Sequence, residues 1–262
     1  MLKALKNIAI LILFSALGIY FILVILGGGF GKNHLVTSIP QNLNFAHRGC
    51  CMEAPRNSMD AFQKAQSKGL GIETDVRITK DNILVLFHDD TTNQKLGLKG
   101  SISDWTFDEL SKQKFNYPSD SSEHNIVSLQ KLKGTFPETI LYLDIKTPSK
   151  SVADILTNKL STDYDMNLIA DANILFLSYL KYKNPKFRTV WEGFDAGKEW
   201  MYWLIPKNFK PDYLASFKKN INAAHISWLE KNQLLSQKIV YGHTSIDSAL
   251  VSKIPYNTIE CN

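Results

Sequence analysis

The longest apolar run of the chain lies close to its N-terminus. Residues 8–26 are interrupted only by Ser15, Gly18 and Tyr20, and no charged residue occurs in positions 7–31. An α-helix of this length rises about 28 Å, which is close to the thickness of the hydrocarbon core of a bilayer. The run predicts one transmembrane helix, and we interpret residues 1–32 as an N-terminal membrane anchor.

The residues on both sides of this run indicate whether it is cleaved and how it is oriented in the membrane. An uncleaved anchor is favoured because the run is longer than the apolar part of a signal peptide, and the glycines at 27–29 leave cleavage as the alternative. Lys3 and Lys6 precede the run, and Lys32 follows it. The positive-inside rule then places the N-terminus in the cytoplasm and the remainder outside it, as in a single-pass bacterial inner-membrane protein.

Residues 33–42 predict a polar tether, and no later segment has the composition of a linker that would divide residues 43–262. Short β-branched or aromatic runs predict eight strands, at 43–47, 71–76, 83–88, 140–146, 174–179, 187–191, 223–228 and 239–243. Helical patterns fall between several of them, at 58–68, 104–112, 151–160 and 245–253. This alternation predicts an α/β fold, a (β/α)8 TIM-type barrel that follows the transmembrane helix.

Composition adds two constraints. An apolar share of 44% in 262 residues supplies a large core, which excludes a disordered chain. Without Lys3, Lys6 and Lys32 of the anchor, 27 basic residues face 25 acidic ones, so the net charge falls from +5 to +2. A nearly neutral body predicts no binding to nucleic acid, and nothing in the sequence indicates an oligomeric state.

Charged side chains stand at the ends of several predicted strands. Glu73 and Asp75 share one face of their strand, and the same spacing recurs in Asp144 and Lys146. His47 and His88 each close an apolar run, where a barrel presents catalytic side chains on its C-terminal face. Ion pairs at the rim of the barrel would explain any one carboxylate, whereas three carboxylates and two histidines together favour an active site.

Several segments resemble the glycerophosphodiester phosphodiesterase family, in the family's order and near its spacings. These segments are AHRG at 46–49, APRNS at 54–58, GIETDVRITKD at 71–81, VLFHDD at 85–90, LDIK at 143–146, LSY at 177–179 and VYGHTS at 240–245. The resemblance implies a TIM-type barrel that hydrolyses glycerophosphodiesters to glycerol 3-phosphate and an alcohol, with one divalent cation, Mg²⁺ or Ca²⁺.

The resemblance also implies roles for individual residues. It makes His47 and His88 the catalytic acid and base, without saying which is which. It makes Glu73, Asp75 and Asp144 the metal ligands, and Arg48 and Lys146 the residues that bind the substrate phosphate. Carboxylate ligands suit a hard cation rather than zinc, so the chemistry of the residues agrees with these assignments.

The chain departs from the family pattern at several positions. Asp144 replaces the usual Glu and resembles the sphingomyelinase D branch, Arg56 replaces a Glu, and His243 stands where the family has Trp. A hydrogen-bonded rim histidine is favoured for His243 over a third catalytic base. His34, His124 and His225 are interpreted as structural or solvated.

These departures leave two alternatives to the glycerophosphodiesterase. One is a lysophospholipase D or sphingomyelinase D-like enzyme that takes a lysolipid or sphingolipid at the same site. The other is a non-catalytic, membrane-attached phosphodiester-binding module. The enzyme is favoured over the binding module because both histidines and the Glu73–Asp75 pair remain intact.

Two further features allow alternatives. Three unpaired thiols are favoured for the cysteines, and a disulfide from Cys50 or Cys51 to Cys261 is the alternative in an extracytoplasmic domain. The aromatic segment at 199–209 is expected to belong to the core, with an acyl-chain groove or bilayer contact as the alternative.

Overall fold

The structure is a computed structural model that describes residues 2–32, 39–52, 54–116, 124–162, 164–243 and 253–261. It begins with helix α1, Leu2–Leu26. The part Leu5–Leu26 has a mean hydropathy of 3.0 and is long and apolar enough to cross a membrane. A signal sequence would pass the same test, so the helix is a candidate membrane span.

Ten strands follow. They are β1 Asn44–Ala46, β2 Gly71–Ile78, β3 Leu84–Leu86, β4 Val127–Ser128, β5 Leu141–Ile145, β6 Asn167–Asp171, β7 Arg188–Trp191, β8 Tyr213–Phe217, β9 Lys238–His243 and β10 Tyr256–Ile259. All except β3 and β4 are parallel neighbours, and β1 pairs with both β2 and β10. This double pairing closes an eight-stranded parallel barrel, which confirms the predicted fold class.

Eight further helices lie between the strands. They are α2 Met59–Ser67, α3 Asn93–Leu96, α4 Phe107–Ser111, α5 Leu129–Thr135, α6 Lys150–Lys159, α7 Ile174–Lys183, α8 Glu199–Leu204 and α9 Ala223–Lys231. Several begin at a side-chain cap: Ser58, Ser128 and Ser149 each accept a hydrogen bond from a backbone N–H of the first turn. These caps fix where the barrel's connecting loops end.

Two of the predicted strands are wrong. Residues 174–179 and 223–228 belong to α7 and α9, whose N-caps Asn173 and Asn222 accept hydrogen bonds from backbone N–H groups of the first turn. A short run that is apolar throughout does not distinguish a buried strand from a buried helix, and the caps decide for the helix here. The barrel strands that the sequence analysis missed are β6, β8 and β10.

The strand predicted at 83–88 exists but does not belong to the barrel. It is β3, which pairs antiparallel with the end of β2, and β4 pairs antiparallel with β3 in turn. β2 pairs with β5 from Ile72 as far as Val76, and its remaining residues continue into this hairpin. The hairpin therefore extends the C-terminal end of the barrel. The helix predicted at 245–253 lies almost entirely outside the described residues.

The N-terminal end of the barrel is filled. Ile39 is buried there against an interior layer that includes Phe45, Tyr213 and Tyr256. Its backbone N–H donates to Tyr213 Oη at 3.1 Å, and Tyr256 Oη donates to its carbonyl at 3.2 Å. Because described side chains fill this end, the opposite end, where β2 and β5 finish, is the one where a TIM-type barrel presents its site.

The aromatic segment at 199–209 is divided between core and surface. Tyr202 is fully buried, whereas Trp200 is 63% and Leu204 50% exposed. The expectation that this segment belongs to the core therefore holds for Tyr202 and fails for Trp200 and Leu204.

A disulfide joins the first and last strands of the barrel. Cys50, which follows β1, is bonded to Cys261, which follows β10, with their Cα atoms 4.9 Å apart. Cys51 is a free thiol. The expectation of three unpaired thiols is therefore wrong, because barrel closure brings the ends of β1 and β10 side by side.

This pairing predicts the thiol content of the protein. The full chain, denatured without a reductant, should show one reactive thiol, and three after reduction. Cys51→Ser should show none before reduction and two after it. Thiol titration of both proteins measures this, and three reactive thiols in the unreduced wild-type chain would contradict the disulfide.

Candidate active site

Three carboxylates lie together at the C-terminal end of β2 and β5. Glu73 and Asp75 point to the same side of β2, and Asp75 is the register partner of Asp144. Oxygen atoms from all three lie within 4.8 Å of one another. Glu73 and Asp75 are buried and Asp144 is nearly so. The described residues thus form an acidic cluster with the dimensions and the donor atoms of a metal site.

Two cations neutralise part of this cluster. Arg48 Nε lies 2.9 Å from Asp75 Oδ2, and Lys146 Nζ lies 3.0 Å from Asp75 Oδ1 and also contacts Asp144. Asn57 Nδ2 donates to Asp75 Oδ2 at 2.9 Å. The sequence analysis predicted Arg48 and Lys146 for this region, and the structure brings both to the carboxylates. It missed Asn57.

A tight turn after β1 places Arg48. Its φ is 54°, a left-handed conformation, and its backbone N–H donates to Glu73 Oε2 at 2.7 Å. Gly49 follows with φ 75°, and a Cβ atom there would lie 2.6 Å from the backbone of Ala61. The glycine of the HRG segment is required because α2 packs directly against this turn.

The three carboxyl groups differ in their ionisation. Burial, together with the negative charges of Asp75 and Asp144, raises the pKa of Glu73 well above its ordinary value. Burial also raises the pKa of Asp144, although Lys146 opposes this. For Asp75, Lys146 and Arg48 outweigh burial and lower the pKa. Asp75 is therefore the ionised centre of the cluster.

His47 follows β1 and is held from both sides. Its Nδ1 contacts Glu260 Oε1, and its Nε2 lies 4.0 Å from Glu73 Oε2. Cys51 Sγ donates to the other oxygen of Glu260 at 2.6 Å. The hydrogen bond with His47 lowers the pKa of Glu260 to about 2. Glu260 thus stays ionised and orients the imidazole so that Nε2 faces the acidic cluster.

His88 reaches the site by a route that the sequence analysis did not predict. It follows β3 of the antiparallel hairpin rather than a strand of the barrel. The Arg77 guanidinium donates to the His88 carbonyl at 2.7 Å, and His88 Nδ1 lies 2.9 Å from Asp89 Oδ1. The hairpin folds back because β3 pairs with β2, and the Phe87 N–H donates to the Asp75 carbonyl at 2.9 Å.

Two cavities meet at Arg48. One, of about 370 Å³, is lined by the acidic cluster's Glu73 and Asp144 together with His47 and Lys146. The other, of about 890 Å³, is lined by His88 and Asn57, with Arg56 and Lys95 on its walls. Arg48 lines both cavities. Each cavity also contains one of the two histidines that the sequence predicts as catalytic.

The sequence analysis also missed Glu192 and Glu260, which come directly after β7 and β10. The rule that singled out His47, a polar residue at the end of an apolar strand, would have found Glu192, which follows the strand predicted at 187–191. Glu260 follows β10, a strand that was not predicted. Glu192 accepts a hydrogen bond from Tyr142 Oη at 2.8 Å, and burial beside Asp144 raises its pKa to about 8. Glu192 lines the cavity that contains the acidic cluster.

The remaining histidines lie elsewhere. His225 is buried on α9 with its Nδ1 2.6 Å from Glu199 Oε1, and His124 is buried near Asp60. The backbone of His243 pairs with Ile259 in β9. His34 lies outside the described residues.

The closed parallel barrel with an acidic cluster at its C-terminal end places the chain in the class of TIM-type α/β-barrel proteins. Within that class, residues 47–222 match the model of the glycerophosphoryl diester phosphodiesterase family. The matched segment covers more than half of the chain, so the chain belongs to this family.

Known proteins agree with this membership. The chain is 44% identical over 69 residues to a glycerophosphodiester phosphodiesterase of Bacillus altitudinis, covering 26% of this chain and 28% of the relative. It is 30% identical over 122 residues to human glycerophosphodiester phosphodiesterase 1, covering 46% of this chain and 32% of the relative. The matched segments thus span less than a third of each of these relatives.

Solved structures share the fold. A phosphodiesterase of Oleispira antarctica, in complex with the product sn-glycerol-3-phosphate, superposes with a TM-score of 0.69 at 19% identity, covering 85% of this chain and 93% of that one. A glycerophosphoryl diester phosphodiesterase from Silicibacter pomeroyi gives 0.70 at 11% identity, with 89% and 95% covered. At these identities the similarity establishes the fold.

The raised pKa of Glu192 predicts that the stability of the chain depends on pH. This pKa is about 8 in the folded chain against 4.5 ordinarily, so between these pH values the folded chain keeps a proton that the unfolded chain releases. The free energy of unfolding should therefore fall as pH rises through this window, by at most about 1.4 kcal/mol per pH unit from this group.

Denaturant unfolding of the chelator-treated full chain in detergent, at several pH values, measures this dependence. Glu192→Gln should make it less steep, whereas Glu138→Gln, at an exposed position, should leave it unchanged. Equal slopes for the wild-type chain and Glu192→Gln would contradict the assignment.

Proposed function

We propose that this chain is a membrane-tethered, metal-dependent phosphodiesterase that hydrolyses glycerophosphodiesters to glycerol 3-phosphate and an alcohol. One observation carries the proposal: Arg48 lines both the cavity that contains His47, Glu73 and Asp144 and the cavity that contains His88. Membership of the family supports it, as does the sn-glycerol-3-phosphate named as product in the Oleispira antarctica complex.

The acidic cluster fits one divalent cation, Mg²⁺ or Ca²⁺. Its donors are the carboxylate oxygens of Glu73, Asp75 and Asp144, the ligand type that hard cations prefer. When all three are ionised, their charge exceeds that of Arg48 and Lys146 by one, which favours a bound cation. Such an ion supplies electrostatic stabilisation to the phosphoryl oxygens.

Arg48 and Lys146 are the residues that bind the substrate phosphate in this proposal. Both already contact Asp75, so they are held in place by a group that stays ionised. A phosphodiester carries one negative charge, and more charge accumulates on its oxygens as a nucleophile adds. Cations fixed before the reaction stabilise that charge without having to reorganise.

In this proposal His47 and His88 exchange the protons. In the first step the adjacent glycerol hydroxyl attacks phosphorus and the bond to the alcohol oxygen breaks, which gives a cyclic phosphate. One histidine accepts the hydroxyl proton while the other donates a proton to the leaving alcohol. In the second step water opens the ring with the roles exchanged, and glycerol 3-phosphate is released.

Glu260 supports the role of His47. Its carboxylate contacts Nδ1, so the proton of a neutral imidazole resides there and Nε2 is left free to face the site. Cys51 and the Cys50–Cys261 disulfide hold Glu260 in turn. Glu260 is thus a positioning residue for His47.

The location proposed for the enzyme follows from α1 and the disulfide. In this proposal residues 1–32 are the anchor, 33–42 the tether and 43–262 the catalytic barrel on the extracytoplasmic side. A disulfide between Cys50 and Cys261 suits an oxidising compartment. The substrate would then be a glycerophosphodiester or a lysolipid outside the cytoplasm.

The first test is hydrolysis of glycerophosphocholine by the full chain in detergent, with Mg²⁺, with Ca²⁺ and with EDTA. We expect cation-dependent release of glycerol 3-phosphate. His47→Ala and His88→Ala should each lower kcat by about 10²–10⁴-fold because each removes one proton-transfer group. Asp144→Asn should raise the cation concentration needed for half activity. Product release is followed by an enzyme-coupled assay for glycerol 3-phosphate.

His225→Gln, in a histidine outside the site, is the matched control and should retain activity if it folds, as judged by circular dichroism. Turnover of lysophosphatidylcholine or sphingomyelin in preference to glycerophosphocholine would contradict the glycerol substrate and favour the lipid phosphodiesterase. A folded wild-type chain inactive on all three would contradict the enzyme and favour the binding module.

The second test concerns Glu260. Glu260→Gln should lower kcat about 10–100-fold, the usual effect of losing the partner that orients a reactive histidine, and should leave KM nearly unchanged. Glu260→Asp should recover part of the loss because it keeps the charge. Cys51→Ser keeps a donor to Glu260 and should stay close to wild type. An unchanged kcat for Glu260→Gln would show that His47 does not need this carboxylate.

A further inference from the structure

The end of α1 is packed against the barrel instead of standing free of it. Within Leu5–Leu26 only Tyr20 and Val24 are not exposed, and the next residue of the same helical stripe, Gly27, is buried. Tyr20 Oη donates to the Leu204 carbonyl at 2.8 Å. The last two turns of the candidate membrane span therefore rest on the C-terminal end of α8.

Backbone hydrogen bonds extend this contact. The N–H groups of Lys207 and Asn208 donate to the carbonyls of Gly29 and Gly27, at 2.9 and 2.8 Å. A Cβ atom on Gly27 would lie 2.4 Å from Pro206 Cβ, so the glycine permits the close approach. Because two peptide groups on each side are paired, the orientation of α1 on the barrel is fixed at this point.

Most exposed apolar side chains of the barrel lie on α8, which carries this contact, and on α7, where Ser178 Oγ donates to the Phe209 carbonyl at 3.4 Å. Among the described residues beyond Gly31, those of this kind are Met52, Leu175, Tyr182, Trp200 and Leu204, and all but Met52 lie on α7 or α8. Trp200 and Leu204 are four residues apart on α8, and Leu175 and Tyr182 are seven apart on α7, so each pair shares a helix face. We call these four residues the exposed apolar face.

The length of α1 determines how deep in a bilayer its contact with the barrel would lie. Leu5–Leu26 is 22 residues long, about 33 Å as a helix, and so barely exceeds the hydrocarbon core of a bilayer. Tyr20, which contacts Leu204, comes six residues before the end of that span. Six residues of helix measure about 9 Å, so barrel atoms that touch Tyr20 lie no farther out than the lipid headgroups, at their border with the acyl chains, where Trp and Tyr side chains are enriched.

Positive charges beside the contact between α1 and α8 also suit a lipid surface. Lys32 Nζ lies 3.3 Å from Gln233 Oε1, and Lys207 is next to Gly31. Lysines that flank an apolar face place their ammonium groups among lipid phosphates while their stems stay in the apolar layer.

We infer that α8, together with the adjoining face of α7, is a second membrane contact that lies on the surface of the bilayer to which α1 anchors the chain. This inference rests on the proposed tether and concerns how the barrel is oriented, since a single helix that is fixed to the barrel can still tilt in the bilayer together with it. Trp200 and Leu204 would enter the interfacial layer of the lipid.

Quenching of tryptophan fluorescence by brominated phospholipids tests this. The full chain is reconstituted into phosphatidylcholine vesicles with and without bromine on the acyl chains. We expect a quenched fraction in the wild-type chain that falls by more than half in Trp200→Phe. Trp105→Phe, near the β3 hairpin, is the matched control and should leave the quenched emission unchanged. Both substitutions are conservative, and Trp200 is exposed, so folding should be preserved.

An alkaline carbonate wash of the same vesicles separates the possible failures. A chain that resists the wash but shows the same quenched emission in wild type and Trp200→Phe overturns the lipid contact while the tether stands. That result would assign the exposed apolar face to a protein partner. A chain released by the wash overturns both the tether and this inference, and neither result bears on the phosphodiesterase activity.

Discussion

The structure of the site depends on placing three carboxylates side by side in a largely buried position. Glu73, Asp75 and Asp144 would repel one another and lose hydration if nothing compensated them. Arg48, Lys146 and Asn57 supply that compensation, and each is held by a different segment: the turn after β1, the end of β5 and the loop before α2. Burial, followed by the charges of Asp75 and Asp144, still raises the pKa of Glu73, and a bound cation would offset both effects.

The same cluster couples the two ends of the chain. His47 and Arg48 follow the first barrel strand, and Glu260 follows the last, so the site is complete only when β1 and β10 pair. The Cys50–Cys261 disulfide joins these segments at the adjacent residues. In a barrel, closure of the sheet is thus also the step that brings the carboxylate of Glu260 to its histidine.

Much of this could be predicted from sequence because the site residues follow apolar strands at fixed spacings. The alternation in β2 and β5 placed Glu73 with Asp75, and Asp144 with Lys146, on one face of each strand. The predicted barrel class is right although only five of the eight predicted strands belong to the barrel, namely β1, β2, β5, β7 and β9. What failed were features that depend on non-local pairing. The route of His88 through an antiparallel hairpin, the Cys50–Cys261 bond and the role of Glu260 all require knowing which strands lie next to each other. The strands predicted in place of α7 and α9 were wrong for a local reason. The signal for a helix at each of them is a single N-cap asparagine before an apolar run.

The two ends of the barrel differ: one is filled and lies near α1, and the other contains the candidate site. Ile39 fills the N-terminal end, and α1 meets the body at Lys207 and Asn208, shortly before β8 begins. Helix α1 therefore approaches the barrel away from the opening of the site. The connection from β7 to α8 nevertheless spans both regions, since Glu192 lines the site cavity and Trp200 belongs to the exposed apolar face. A bilayer that positions α8 would thereby position one wall of the site as well, which ties the orientation of the barrel on the membrane to the direction from which a substrate enters.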